Sequence, residues 1–415
     1  MPSRTNLPFV RILHVIHSVD PRSGGPSHAL RGLVRAQVAR GHRVTVVATT
    51  AQSAEPWSPT EDFRHRIAVD PDLQHAQVTL LPAWGRRGLW SRYAYTPQAT
   101  AWLKTRLSAR DDRPEVVHIH GVFSHLTAVA AQQARRYGMP YVLRPAGSFV
   151  PACFAMGRSR LKRLCLHLFL LRDLREAAAV HATSQVEADG LRQLVPEAKV
   201  VIIPHGVEIS AGDEPALAES FRRRFPQTAG KQVVLYLARL HHIKRAEWLV
   251  AAAARLLPDF PRLFLVLAGS DAGHLSTVRQ AITEWQLGDR CLLPGFLRGE
   301  QKEEALAAAR VFALPSLSEN FGVAVVEAMA HGVPVVVTPG VAASEYVRQA
   351  RCGVVAQDSI ESVTAAIREV LQADRQELGR RGRQYVASHL TWPRIAEQVD
   401  ELYQAAITNG EKPKR

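Results

Sequence analysis

Residues 11–49 read RILHVIHSVDPRSGGPSHALRGLVRAQVARGHRVTVVAT, in which two β-branched runs flank a segment with helical spacing. The run at 11–19 predicts a buried strand, and apolar residues at helical intervals predict a helix from about Ser27 to Arg40. Gly41 follows, a residue favoured just beyond a helix C-terminus. Residues 43–49 give the next strand. A strand–helix–strand unit of this kind is typical of a parallel sheet covered by helices.

The same alternation of strand and helix continues along the chain. Further strands are predicted near 115–120, 141–145, 179–184 and 199–204, and, after a polar segment, near 232–238, 263–269, 290–296, 311–315 and 333–338. The sequence therefore predicts an α/β protein with two doubly wound domains, residues 1–207 and 231–390, joined by a linker at 208–230. A last helix within 391–415 has no strand after it and is predicted to cross back to the first domain.

The composition is that of a globular protein with a strong basic surplus. The chain has 415 residues, of which 47% are apolar and 22% charged, so general disorder is excluded. Lys and Arg total 52 against 38 Asp and Glu, a formal charge of +14. Such a surplus suggests an anionic partner, which could be nucleic acid, an anionic membrane face or a phosphorylated substrate.

The cysteines and the N-terminus indicate the compartment. The four cysteines are far apart and form no CxxC pair, which fits a reducing compartment better than disulfides or a zinc site. Arg11, His14 and His17 interrupt the apolar run from Leu7 to Val19, so a secretory signal is not expected. No stretch approaches the ~20 apolar residues needed to span a bilayer. We therefore expect a cytoplasmic protein, soluble or peripheral at the inner face of the membrane.

Two carboxylates in the segment 315–332, PSLSENFGVAVVEAMAHG, carry the clearest chemical signal. The segment predicts a strand end, a polar loop and a helix from about Phe321. Glu319 would lie at the helix entrance and Glu327 about 9 Å along its axis, so the pair could hold two ends of one extended ligand, with backbone N–H groups for a phosphate between them. The alternative is that Glu319 only complements the helix dipole and Glu327 is a solvated surface residue.

This segment resembles the E-x7-E signature of family 4 glycosyltransferases. The resemblance implies the GT-B fold, with two facing Rossmann-like domains, and a retaining reaction. It implies that Glu319 holds hydroxyls of the donor sugar and that Glu327 binds the ribose of the nucleotide. Backbone groups would reach the sugar and the diphosphate from Asn320, Phe321, Gly322 and Val323.

A second element of the resemblance follows the first strand of the second domain. Arg239 and Lys244 match the family's G-R-x4-K element, which implies that they clamp the donor diphosphate. Fixed cations count most where charge builds on a departing diphosphate. The sequence departs from the pattern in two places, since Ala238 replaces a glycine and Arg245 replaces another that commonly follows the lysine. The alternative is a pair of ordinary surface cations.

Other matching positions lie at strand ends. In the first domain, Gly24 and Gly25 resemble a glycine-rich loop that lets backbone approach donor phosphates or acceptor, although turns use glycine routinely. His120 matches a histidine that the family places near the sugar, the alternative being a structural role. In the second domain, Gly269 and Phe296 fall where the family cups the phosphate and the nucleobase.

Metal and cofactor motifs are weak or missing in the sequence. Asp70-Pro71-Asp72 is a DxD that we interpret as a turn, and His241-His242 lacks partner ligands at metal spacing, so no metal is predicted. The sequence contains neither a Walker A motif nor a GxGxxG fingerprint, which argues against an NTPase or a dehydrogenase. No cofactor is expected, because the nucleotide sugar, UDP- or GDP-linked, is itself the substrate.

A basic, leucine-rich segment is the remaining unusual feature. Four basic residues between 158 and 163 precede an apolar run, so 158–171 could dock on an anionic membrane surface. The alternative is a helix buried on one side with solvated basic residues. Membrane docking would suit a lipid-linked acceptor.

The sequence thus predicts a hexosyltransferase-type enzyme that acts in polysaccharide or glycolipid synthesis. By resemblance, it transfers sugar from a nucleotide donor to a glycan or lipid-linked acceptor, with retention and without metal. Two alternatives stay open, a nucleotide-sugar epimerase on the same fold and a basic nucleic-acid-binding protein. The second is the weaker, because the basic stretches lack interleaved aromatic residues, and we expect no nucleic-acid partner.

Overall fold

The computed structural model describes residues 9–20, 25–50, 67, 70–84, 93–149, 170–210 and 212–410. The chain divides into two compact units. The first unit contains Met1–Gly206 and Trp392–Arg415, and the second contains Val207–Thr391.

The described part of the first unit is a parallel sheet with helices around it. The sheet has seven strands in the order β3-β2-β1-β4-β5-β6-β7. The strands are β1 (Arg11–Ile16), β2 (Arg43–Thr49), β3 (Gln77–Leu81), β4 (Val116–His120), β5 (Tyr141–Arg144), β6 (Ala179–Ala182) and β7 (Val200–Ile202). The helices are α1 (Gly25–Ala39), α2 (Ala99–Ser108), α3 (His125–Arg136), α4 (Leu171–Arg175) and α5 (Gln185–Leu194).

The last helix of the chain belongs to this first unit, as predicted. It spans Trp392–Gly410, and we refer to it below as α14. Trp392 packs where Gly32 and Gly206 leave room, since a Cβ at either glycine would collide with the indole. Further along the helix, Tyr403 is buried and its hydroxyl lies 2.7 Å from Nδ1 of His118.

The second unit holds a similar sheet. In residues 212–391 of the described chain, six parallel strands have the order β10-β9-β8-β11-β12-β13. They are β8 (Gln232–Leu237), β9 (Leu263–Ala268), β10 (Cys291–Gly295), β11 (Ala309–Leu314), β12 (Val335–Val337) and β13 (Gly353–Val355). The helices are α6 (Glu214–Arg224), α7 (Ala246–Leu256), α8 (Leu275–Glu284), α9 (Glu300–Ala308), α10 (Val323–Ala330), α11 (Ser344–Ala350), α12 (Ile360–Gln372) and α13 (Arg375–His389).

The structure differs from the predicted linker at 208–230, because this segment contains α6 and packs within the second unit. The Asp213 side chain caps the helix by accepting from the Ala216 N–H. Phe221 is fully buried, and Arg224 donates two hydrogen bonds to Glu304 of α9. The segment is polar in overall composition, which predicted a linker, but one face of the helix is apolar. Burial of that face stabilises the helix.

Two findings concern the predicted membrane contact. In the part of the chain that the structure describes, no helix is long and apolar enough to cross a membrane. The predicted docking segment 158–171 lies outside the described residues apart from Leu170 and Leu171.

Candidate active site

The loops at the carboxyl ends of the strands in the second unit are joined to one another by backbone hydrogen bonds. The loop after β8 donates from Leu240 N to the Ser270 carbonyl, at 2.9 Å, in the loop after β9. The loop after β11 donates from Leu317 N to the Ile243 carbonyl at 2.8 Å, and from Glu319 N to the Gly340 carbonyl at 2.9 Å. Ligands bind beyond these strand ends in parallel α/β sheets. The loops that carry Arg239, Lys244, Gly269 and Glu319 are therefore connected to one another.

Two glycines allow these loops to approach each other. A Cβ at Gly269 would collide with the carbonyl oxygen of Ala238, directly before Arg239. A Cβ at Gly340 would collide with the carbonyl oxygen of Leu317 in the same way. Gly269, predicted to cup a phosphate, thus has a structural reason to be glycine, because it sets the position of the loop that carries Arg239.

Lys244 and Glu319 form an ion pair. Lys244 is only 6% exposed and its Nζ also donates to the Ser318 carbonyl at 3.1 Å, so its charge is fixed by two contacts with the loop after β11. Arg239 is exposed. Of the two predicted diphosphate ligands, Lys244 is thus buried and held by its contacts, unlike an ordinary surface cation. Arg239 is open to solvent.

Arg245 takes the left-handed conformation for which glycine is usual at this position of the family pattern. Its φ is 53°, and it directly precedes α7. The guanidinium lies 4.2 Å from the centroid of the Trp248 ring and pairs with Asp358. These contacts offset a backbone cost of about 1–2 kcal/mol, so the departure from the pattern does not disrupt the loop.

The loop between β11 and α10 is rigidly held. Gly322 has φ of 90°, and a Cβ there would lie 2.9 Å from Val341. Phe321 is buried in the core near Tyr346, with ring centroids 5.9 Å apart. Because of the left-handed Gly322, the helix begins at Val323 rather than at the predicted Phe321. The N–H groups of its first turn project from the helix N-terminus, where they can bind an anion.

Glu327 lies within α10 and has a partner that the sequence did not reveal. Lys302 of α9 donates from Nζ to Glu327 Oε1 at 2.6 Å. Phe296, predicted at the nucleobase, directly follows β10 and is 62% exposed, so its ring is open for stacking. Asn320 and Val323 lie on either side of the Phe321–Gly322 turn.

His120 of the first unit is 2% exposed and belongs to a buried polar cluster. Its Nε2 lies 2.9 Å from Nδ1 of His14, and its ring stacks on that of His118 with centroids 4.1 Å apart. Burial lowers the pKa of His14 to about 4 and holds the pKa of His118 and of His120 well below the ordinary 6.5. The predicted role of His120 near the sugar stays a prediction. Gly25 begins α1, and Gly24 lies outside the described residues.

The same cluster is the place where a metal ion could be considered. His14, His118 and His120 each offer a nitrogen within 4.8 Å of the others, a donor set that zinc uses. The guanidinium of Arg144 is buried in this cluster, however, and its positive charge adds to burial in lowering the pKa of all three histidines. A dication would be repelled by Arg144, so these residues fit neutral imidazoles better than a metal centre.

The Asp70-Pro71-Asp72 motif forms a turn, with Asp72 N donating to the Asp70 carboxylate at 3.0 Å. Asp70 pairs with Arg31 and Asp72 with Arg35, both on α1. Both carboxylates are therefore already paired with cations.

Comparison with known proteins identifies relatives of both units. Residues 218–385 match the family described as glycosyl transferases group 1, and residues 24–206 match the glycosyl transferase 4-like domain. The chain is 25% identical to GDP-mannose:cellobiosyl-diphosphopolyprenol alpha-mannosyltransferase of Xanthomonas campestris, over 96% of this chain and 97% of that one. It is 26% identical to glycogen synthase of Mycobacterium tuberculosis, over 97% of each chain.

A solved structure confirms the GT-B fold. The structure of HepE from Anabaena in complex with UDP and glucose has a TM-score of 0.72 and 19% identity, and the match covers 94% of this chain and 98% of that one.

Proposed function

This chain belongs to the group 1 glycosyltransferases, and we propose that it transfers the sugar of a nucleoside-diphosphate donor to a hydroxyl of a glycan or lipid-linked acceptor, with retention and without a metal. The nucleotide sugar is the substrate, and no cofactor is needed.

The observation that carries this proposal is the arrangement around α10. At its N-terminus the Lys244–Glu319 pair lies beside the loop that leads into the helix, and on the helix itself the Lys302–Glu327 pair fixes a second carboxylate. An anionic diphosphate between the two carboxylates would meet the helix N-terminus and Lys244. Glu319 would then accept from sugar hydroxyls and Glu327 from the ribose.

The proposed transfer reaction uses these fixed charges to stabilise the leaving diphosphate. The acceptor hydroxyl attacks the anomeric carbon on the face from which the diphosphate departs, so the configuration is retained. The bond from the anomeric carbon to the diphosphate oxygen breaks as the new glycosidic bond forms, and the acceptor proton passes to a phosphate oxygen. Lys244, Arg239 and the helix N–H groups stabilise the charge on the leaving diphosphate. These cations supply what a metal would supply elsewhere.

Two relatives suggest the kinds of donor and acceptor. The Xanthomonas relative is named for a GDP-mannose donor and a diphosphopolyprenol-linked acceptor, and the Anabaena protein was solved with UDP and glucose. We propose a GDP- or UDP-linked hexose donor and a lipid-linked or glycan acceptor in polysaccharide or glycolipid synthesis. The basic residues of 158–171 would then contact an anionic membrane surface at the inner face.

The proposal is tested first by donor binding. GDP-, UDP- and ADP-sugars are screened by thermal shift, because a bound donor raises the unfolding midpoint by mass action. We expect one nucleotide class to raise the midpoint, and the shift to survive EDTA. Lys244→Met should abolish the shift. Lys231→Met is the matched control and should preserve it, because Lys231 lies at the amino end of β8, opposite the loops of the site. A shift that EDTA removes would contradict the metal-free reaction, and epimerised donor without transfer would favour the epimerase.

A further inference from the structure

Glu327 is the first member of a chain of charged side chains that leads away from the candidate site. Lys302 Nζ lies 2.6 Å from Glu327 Oε1 and 3.8 Å from Glu303 Oε1. Glu303 Oε2 in turn lies 2.7 Å from Nε2 of His331, whose Nδ1 lies 3.0 Å from Glu214 Oε1. We call these five residues the charge chain; their signs alternate when His331 is protonated.

The charge chain joins three helices of the second unit. Glu214 lies on α6, Lys302 and Glu303 on α9, and Glu327 on α10, which His331 caps at the C-terminus. The His331 N–H donates to the Glu327 carbonyl at 3.1 Å, so the two side chains are one helical turn apart. Because His331 is 8% exposed and faces a carboxylate on each ring nitrogen, both nitrogens act as donors. A protonated His331 is also favoured by the helix C-terminus.

We propose that Lys302 is a positioning residue for Glu327 and that Glu303 and His331 hold Lys302 in place, so that residues outside the nucleotide site set its affinity. The proposal rests on the proposed function, in which Glu327 binds the ribose. A carboxylate has about four acceptor positions. Lys302 occupies one of them on Oε1, which fixes the rotamer of Glu327 and leaves Oε2 for the two ribose hydroxyls.

The alternative is that Lys302 competes with the nucleotide. In that case the Lys302–Glu327 pair would have to break before the ribose could bind, and removing Lys302 would strengthen binding. The positioning role predicts weaker nucleotide binding when Lys302 is removed, and competition predicts tighter binding. Both differ from an incidental surface ion pair, whose loss would leave nucleotide affinity unchanged.

The experiment measures the dissociation constants of GDP and of UDP by calorimetry, with the full chain at fixed ionic strength. Lys302→Met should weaken binding of the nucleotide that the wild type prefers by about tenfold, equivalent to about 1.4 kcal/mol. Glu303→Gln should weaken it by about threefold. In turnover, Lys302→Met should raise the donor KM and leave kcat within about twofold, because Glu327 contacts the nucleotide and not the reacting carbon.

A double-mutant cycle separates the positioning role from independent effects. If Glu303 acts through Lys302, then Glu303→Gln should cause no further loss in the Lys302→Met background. Lys302→Arg, which keeps the charge, should recover binding to within about threefold of wild type. Glu300→Gln, the same charge change at the first residue of α9, and Lys231→Met serve as matched controls that keep wild-type affinity. Thermal unfolding of each variant checks that it folds.

Three results would overturn the inference while the wild type still binds nucleotide. These are unchanged affinity in Lys302→Met, tighter binding in Lys302→Met, or a Glu303→Gln loss that is undiminished in the Lys302→Met background. If the wild type binds neither GDP nor UDP, the proposed function fails and the inference fails with it.

Discussion

His331 provides a quantitative prediction about stability and pH. Burial opposes its protonation, but hydrogen bonds and charge from Glu214 and Glu303 raise its pKa from the ordinary 6.5 to about 9. Since the pKa in the folded state is the higher one, the stabilisation is fully present below pH 6.5 and is lost as the pH rises through about 9. At about 1.4 kcal/mol per pKa unit, His331 contributes about 3 kcal/mol to the free energy of unfolding.

His331→Gln is the perturbation that isolates this contribution. For a unit of this size, a change of 1 kcal/mol moves the unfolding midpoint by about 2–4 °C, so the variant should unfold about 6–12 °C below wild type at pH 6. At pH 10, where His331 is neutral, the gap should shrink to a small fraction of that. The charged groups that neighbouring elements add, Lys302 on α9 beside Glu303 and Arg375 on α13 near Glu214, are common to both proteins.

The assay is thermal unfolding of wild type and His331→Gln from pH 6 to 10, with His389→Gln as the control. His389 is exposed at the end of α13 and stacks on Tyr385 of the same helix, so its replacement should lower the midpoint by far less than that of the buried, doubly paired His331. A gap between wild type and His331→Gln that is the same at pH 6 and pH 10 would contradict a stabilising protonation of His331. An NMR titration in which His331 is already neutral at pH 7 would refute it independently.

Three further predictions concern folding and the loops of the site. Gly269→Ala should both lower the unfolding midpoint and weaken donor binding, because the new Cβ would collide with the Ala238 carbonyl and displace Arg239. Thermal unfolding with and without donor measures both effects. Arg351→Gly should stabilise the protein by about 1 kcal/mol, because Arg351 directly follows α11 and has a φ of 50°, which glycine adopts more easily. Urea unfolding measures this, and an unchanged or lower stability would contradict it. The first unit should lose stability as the pH falls from 6.5 towards 4. Burial lowers the pKa of His14 to about 4 and of His181 to about 3, so the stability that these neutral histidines contribute is present above pH 6.5 and lost in acid. Thermal unfolding against pH tests the last prediction, and His14→Gln should flatten the acid limb.

The fold class and the candidate site residues around α10 could be predicted from the sequence because their patterns are local. Strand and helix periodicity repeats over a few residues, and Glu319 and Glu327 lie within one loop and one helix. Such features can be recognised without knowledge of what packs against them.

Long-range partners could not be predicted in the same way. Lys302 contacts Glu327 across 25 residues, and His331 joins α6 to α9, so neither pairing leaves a pattern in any short window. The polar composition of 208–230 suggested a linker, although one face of α6 is buried on α9. His120 was predicted to lie at a strand end near the donor sugar. Its burial beside His14 of β1 and His118 depends on the order of the strands, which no short window of sequence shows.

The stereochemistry of the transferred sugar distinguishes a retaining transferase from an inverting one. The wild-type enzyme is incubated with the donor that it binds and with an acceptor that carries a free hydroxyl, and the anomeric configuration of the new glycosidic bond is determined by NMR. We expect transfer with the configuration of the donor retained, undiminished in EDTA and lost in Lys244→Met. A product of inverted configuration would contradict the front-face mechanism, and full transfer by Lys244→Met would contradict the assignment of the site.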